Sequence, residues 1–131
     1  MILKLHDSSV VSICLDDGGS SITIMFEGVD GIKHELKAVD VVVLRVVDMQ
    51  QKNIVSRAIV STYDKMSKED MDYIISWSVK DSEGGVYLNE SSIRDYLSKA
   101  INGSLAVCYI EPSQGAEIAC LAREISIVKR N

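Results

Sequence analysis

Val41-Val42-Val43-Leu44-Arg45-Val46-Val47 and Ile54-Val55-Ser56-Arg57-Ala58-Ile59-Val60 are two strongly apolar runs, separated by the polar Asp48-Met49-Gln50-Gln51-Lys52-Asn53. Val and Ile lose χ1 freedom in a helix and pack well on a pleated surface, so both runs are predicted as strands near the centre of a sheet. Working outward toward the N-terminus, Ile32, His34, Leu36 and Ala38 alternate with charged Lys33, Glu35 and Lys37, a strand with one wet face. The alternation loses its phase near Asp40, which a β-bulge explains. Gly28-Val29-Asp30-Gly31 makes the turn before it. Earlier still, Val11, Ile13 and Leu15 alternate with Val10, Ser12 and Cys14, and Ile22, Ile24 and Phe26 alternate with Ser21, Thr23 and Met25. Asp16-Asp17-Gly18-Gly19 between them makes these a hairpin.

On the other side of the apolar runs, Ser61 to Met66 reads as a loop, and Ser67-Lys68-Glu69-Asp70 has the form of a helix start, a Ser cap followed by acids. Met71, Ile74, Ile75 and Ser78 keep helical spacing, whereas Tyr73, Ile75, Trp77 and Val79 alternate like a strand. The β-branched and aromatic content favours a short helical turn at 67–72 and a strand at 73–79, closed into a hairpin by Gly84-Gly85 and Val86-Tyr87-Leu88. Ser91 or Ser92 caps an amphipathic helix at about 92–102, with Ile93, Tyr96, Leu97, Ala100 and Ile101 on one stripe and Asn102-Gly103 as its stop. Leu105, Val107 and Tyr109 form a strand, Pro112 to Gly115 a turn, and 116–128 a last strand that is apolar on both faces and hence interior. Lys129-Arg130-Asn131 reads as a solvated tail. The pattern predicts about eight strands in an α+β, mainly β, single domain over residues 1–131. Its sheet is an antiparallel meander, curved or partly closed, with the helix over one face or end.

Composition narrows the function classes. Lys and Arg number 14 against 19 Asp and Glu, a net charge of −5, and aromatic residues make up 5%, so both the phosphate contacts and the stacking platforms of a nucleic-acid binder are missing. Met1 to Asp7 is not a secretory leader, and no run approaches the length that crosses a bilayer, which points to the cytoplasm and reduced thiols. Cys14, Cys108 and Cys120 alternate with apolar neighbours and are expected to be inert core thiols. With two histidines and no ligand spacing, no metal site is expected. No phosphate-binding glycine loop or nucleophile elbow occurs, so no cofactor is expected.

His6-Asp7 would point to opposite sides of an extended backbone and so make a poor dyad; His6 is expected to tie the N-terminus to a neighbouring strand, and His34 to be a half-buried strand residue. Two surfaces remain as partner-binding candidates. Asp64, Glu69, Asp70 and Asp72 form the densest acidic cluster, although helix-dipole complementation also accounts for them. Asp48, Gln50, Gln51 and Asn53 lie on a connection longer than a tight hairpin needs, on which an ordinary solvated loop would look the same.

Leu5-His6-Asp7-Ser8-Ser9-Val10-Val11-Ser12-Ile13 resembles the opening of several families of bacterial polymorphic-toxin immunity proteins, as do Asn53-Ile54-Val55 and Glu111 to Glu117, together under a fifth of the sequence. The resemblance implies a non-enzymatic protein that neutralises a cognate toxin by binding it. The expectation is therefore a non-catalytic cytoplasmic binding protein whose acidic surface meets a basic protein partner such as a nuclease toxin. A self-associating structural subunit is the alternative suggested by the two-faced apolar strands at 41–47 and 118–127. A small hydrolase using His6 or His34 is the third.

Overall fold

Ile22, Ile24 and Phe26 are wholly buried, as their alternation requires, and the strand that carries them is one wall of a barrel. The computed structural model describes residues 5–81, 83–86 and 88–130. Its strands are β1 (Ser9–Asp16), β2 (Ser21–Glu27), β3 (Lys33–Val47), β4 (Ile54–Val60), β5 (Ala106–Gln114) and β6 (Glu117–Arg130). They run antiparallel and close in the order β1-β2-β3-β6-β5-β4, the closure being a short contact of Ser9 with Ile54. The α+β, mainly β class is as expected, and the curvature of the sheet is carried to full closure. The strands number six among the described residues, because the runs on either side of Asp40 join into one long β3 and because residues 73–79 are not a strand.

The loss of phase at Asp40 is real. Asp40 has φ of 55°, and it stands with Arg123 between the Val39–Glu124 and Val41–Ala122 pairs of the β3–β6 ladder. The Arg123 Nε–H donates to the Asp40 carboxylate at 2.6 Å. On one side of this point Leu36, Ala38, Ile125 and Ile127 point into the barrel; on the other, Val41, Ala122, Cys120 and Ile118 do. Both strands thus change face together. A second irregularity between Val41 and Val43 turns Val43 outward. Lys129 and Arg130, expected in a solvated tail, instead pair with His34 and Lys33 at the end of β6; Asn131 lies outside the described residues. Pro112, expected in a turn, sits within β5 where the register against β4 shifts, a place where its missing N–H is tolerated.

Two helices cover the outer side of β5 and β6. The first, α1, spans Lys68–Ser78, and Ser67 caps it by accepting the Asp70 N–H at 3.0 Å. It continues through the segment expected to be a strand. Helix and strand propensities of residues such as Ile, Tyr and Trp differ by well under 1 kcal/mol each. Burying Ile74 and Ile75 together, with Met71 and Val79, against Val43, Val107, Tyr109 and Leu121 gives about 1.5–3 kcal/mol per side chain. Only the helix places adjacent Ile74 and Ile75 on one buried face, and that packing overrides the local preference. The expected hairpin beyond it is reduced to a single bridge of Lys80 with Val86, Tyr87 lying outside the described residues. The Trp77 ring stacks under the Arg45 guanidinium at 4.3 Å and meets Tyr109 edge-on, fixing the end of α1 to β3 and β5.

The second helix, α2, spans Glu90–Ile101. Its cap is Asn89, which accepts the Ser92 N–H at 2.8 Å, so the expected Ser caps lie inside the first turn. Asn102 and the positive φ of Gly103 end it as predicted. Ala119, Leu121, Val107 and Tyr109 are therefore buried under the helices while Cys108, Cys120 and Ile118 fill the barrel. The two-faced character expected of 118–127 holds over Ile118–Ala122, whose outer face is covered by the protein's own helices; beyond it Arg123, Glu124 and Ser126 are exposed and Ile125 and Ile127 point inward, and in 41–47 Val43 is covered while Val42 is exposed. Among the described residues no helix is long and apolar enough to cross a membrane.

The helical assignment of residues 73–78 has a direct test. In a strand Ile74 would face away from Ile75; in α1 both are buried. Ile74→Ala is expected to destabilise the fold by about 2–5 kcal/mol in urea unfolding, whereas the exposed Asp72→Ala is expected to stay within about 0.5 kcal/mol.

Candidate functional site

The sequence singled out two polar stretches, and the fold places them at opposite ends of β4. Seven residues at about 3.3 Å each put the two ends roughly 20 Å apart, so the eight candidate residues do not form one patch.

At the start of β4, Asn53 is buried and shapes its own loop. Its Oδ1 accepts the Gln50 and Ala116 N–H groups, each at 2.9 Å, and its Nδ2 donates to the Gln50 carbonyl at 2.7 Å. Gly115 (φ 80°) passes so close that a Cβ there would collide with Asn53 Oδ1. Asn53 is a structural amide and is not available to a partner, which corrects its assignment as a contact residue. Short polar side chains that bond to nearby backbone are a known loop device, but the long-range acceptor role toward Ala116 has no local signature. Asp48, with φ of 61°, and Gln50 and Gln51 are exposed.

At the other end of β4, the loop at 61–66 turns back onto the barrel. Asp64 accepts the Val60 N–H at 2.9 Å, and Ser61 exchanges bonds with Val107, its N–H donating to the carbonyl and its Oγ accepting the N–H. Tyr63 Oη accepts the Ile127 N–H of β6 at 3.0 Å. These bonds hold the loop across the barrel end and leave an open groove of about 670 Å³ between it, the end of α2 and the corner of β3 and β6. Met66, Met71, Leu105 and Ile125 give the groove apolar walls, Ile101 stands 54% exposed at its edge, and Lys37, Lys65 and Arg123 lie around it. Its volume falls within the range of binding pockets. Asp64 is part of this wall with its carboxylate already engaged, while Glu69, Asp70 and Asp72 are exposed on the first turns of α1, beside Met71. Glu69 and Asp72, three residues apart, share a face. Sequence reading found the acids and missed the groove, since Lys37, Ile101 and Ile125 come from distant segments.

The histidines lie elsewhere. Asp7 has φ of 65°, so the backbone is not extended there, and His6 Nδ1 and the Asp7 carboxylate meet at 3.0 Å. The expectation that they point apart is corrected. The tie to the neighbouring strand is made by the Asp7 N–H on the Val55 carbonyl. His6 and His34 line one shallow depression of about 300 Å³ with Asp30 and Lys129. The His6 and Asp7 side chains are 71% and 60% exposed, so water has free access to both. Of the cysteines, Cys108 and Cys120 are buried and face each other across β5 and β6, whereas Cys14 is exposed, against expectation, because it follows Ile13, which packs on the core, and so falls on the outer face of β1. Burial pushes the Cys108 thiol well up, and the Cys120 thiol up to about 12.

No protein-family profile and no curated sequence matches the protein. Among solved structures it is similar to an uncharacterised protein from Neisseria gonorrhoeae, at 13% identity over 93% of this chain and 90% of that one, with a TM-score of 0.43; a likeness this distant carries no argument.

Asn53→Ala is expected to cost about 1–3 kcal/mol of stability, because it leaves buried N–H groups unpaired, whereas Gln51→Ala on the same loop should change unfolding by no more than about 0.5 kcal/mol. A thiol reagent such as DTNB is expected to modify Cys14 in the native protein and Cys108 and Cys120 only after unfolding. An unfolded thiol ionises near 8.5 while Cys120 holds its proton to about 12. The folded state thus binds that proton more tightly, and stability should be fully present below about pH 8.5 and fall as the pH rises toward 12. Cys120→Ser is expected to reduce this alkaline slope in denaturant titrations.

Proposed function

We propose that this is a non-catalytic binding protein that engages a protein partner at the end of the barrel where the groove adjoins the first turns of α1. The observation that carries the reading is an open groove with Met66, Met71 and the half-exposed Ile101 in its lining; Glu69, Asp70 and Asp72 do not line it but are exposed on the first turns of α1, next to Met71 in the sequence. Apolar anchors ringed by charge are the usual anatomy of a binding hot spot, and methionine walls adapt to the side chain they receive. The exposed acids on the first turns of α1 favour a basic partner and speed encounter with it. In the version closest to the immunity-protein resemblance, the partner is a basic toxin domain, blocked by occupation of its surface, and the encounter takes place in the cytoplasm.

The groove replaces the loop at 48–53 as the centre of the proposed surface, since Asn53 is buried and the remaining residues of that loop lie at the far end of β4. The test is co-expression with the product of any toxin-like reading frame beside the gene, scored by survival and by co-purification. Protection and a stoichiometric complex are expected. Glu69→Lys, Asp70→Lys and Asp72→Lys together should weaken binding at least tenfold at low salt and less at high salt, while Asp48→Lys should leave it unchanged. A complex insensitive to the first set and abolished by the second would place the interface elsewhere, and lack of both complex and protection would refute the immunity version.

A further inference from the structure

One wall of the groove has backbone hydrogen-bonding groups to spare. β6 pairs with β3 from Glu117 to Arg130, but with β5 only from Ile118 to Ala122, because β5 begins at Ala106. Beyond Ala122 the side of β6 away from β3 has no strand against it among the described residues. The Ile127 N–H shows which groups point there, since it reaches Tyr63 across the seam. The register with β3 is regular from Glu124 to Arg130, and alternate residues of an antiparallel strand direct both backbone groups to the same side. The N–H and C=O of Ile125 therefore point toward the groove, which Ile125 lines although it is only 3% exposed, and no bond across the seam reaches them among the described residues.

The charges around the groove are unevenly matched. Arg123 is held by Asp40 and Glu124, and Asp64 by the Val60 N–H. Lys37 and Lys65, both exposed, make no ion pair among the described residues. Lys37 stands directly across from Ser126 in the ladder, next to the open backbone of Ile125. An occupant of this groove meets an unpaired donor and acceptor spaced as in a strand, apolar walls, and two uncompensated cations.

We infer that the groove takes an extended peptide segment carrying a carboxylate. The segment adds as a short strand against Ile125 in β6, seats an apolar side chain over Met66, Met71 and Ile101, and directs its carboxylate to Lys37 and Lys65. This rests on the reading of the groove as a binding site and specifies the chemistry of what enters it. A partner that is basic as a whole satisfies both readings if the inserted segment supplies the acid, as the free carboxyl end of a polypeptide does.

The experiment uses the full-length protein. A library of random heptapeptides displayed with free C-termini is selected on the immobilised protein, and recovered sequences are synthesised as acids and as C-terminal amides. Binding is followed by amide NMR and hydrogen exchange. The expected result is recovery of peptides with alternating apolar residues and a carboxylate, protection of the Ile125 amide on binding, and at least tenfold weaker binding by Lys37→Glu with Lys65→Glu. Ile101→Glu, a separate surface change, should weaken the same peptides, and unchanged far-UV spectra of both variants would confirm that the fold is intact. Recovery of no peptide, binding without Ile125 protection, or equal affinity of the charge-reversed variant would overturn the inference. So would protection of Ile125 by self-association alone. A partner that binds through the α1 acids without protecting Ile125 would leave the proposed function standing and sink this inference; peptide binding at Ile125 without any protective complex would do the reverse for the immunity version.

Discussion

The ladder between β3 and β6 is the constraint on which the remaining structure depends. Fifteen residues of one strand run against fourteen of the other, and neither strand could keep one face inward over that length without leaving the barrel. The corner at Asp40 and Arg123 solves this by changing the face of both strands at the same level. Such coordinated irregularities are how strands turn corners in closed sheets. Because the change occurs on both sides of the ladder, the halves of β3 and β6 that flank β2 and β5 respectively contribute to one continuous interior. The Asp40–Arg123 ion pair is exposed and screened, so it contributes little by itself. The energy lies in the aliphatic side chains that the corner turns inward.

The same ladder creates the place for the helices. Outside the corner, Val43, Ala119 and Leu121 face away from the barrel and, with Val107 and Tyr109 of β5, need a cover. α1 and α2 supply it. Tyr109 reports how closely this second layer is fitted: its ring contacts Tyr73 and Trp77, and its hydroxyl donates to Glu117 at 2.5 Å. Burial and that hydrogen bond to a carboxylate push the phenol well above its ordinary range. Over Ile118–Ala122 both faces of β6, and of the β5 residues paired with them, are occupied from within the molecule, and the groove lies at the barrel end beyond Ala122, where β5 has not yet begun.

The groove there is a by-product of mismatched strand lengths. β6 outruns β5, the loop at 61–66 bridges part of the gap through Tyr63, and the end of α2 borders the rest. A site of this kind sets a strand edge without a neighbouring strand, among the described residues, beside apolar walls, the features on which the proposed recognition of an extended segment rests. In the proposed complex the acids on α1 and the lysines near β3 act on different parts of the partner: the former on the approach of its body, the latter on the segment inserted.

Much of the architecture is legible in the residues themselves. The β1–β2 hairpin, the irregularity at Asp40, the two-faced character of 118–122 and the extent of α2 follow from alternation, glycine turns and helical spacing, all of which are local patterns imposed by local geometry. Residues 73–78 read as a strand because their local preference opposes their environment, and only the outer faces of β5 and β6, contributed from thirty and more residues away, decide for the helix. Closure of the barrel, the burial of Asn53 under Ala116 and the meeting of Tyr63 with Ile127 each join segments more than sixty residues apart or strands at opposite edges, and no short pattern encodes them. The sequence by itself determined the segments that became β1 to β6 and where the acids lie, but not the helical state of residues 73–78. The tertiary structure alone decided which of those polar residues are spent on the fold and where an unpaired strand edge remains, because both depend on what each backbone group finds across the seam.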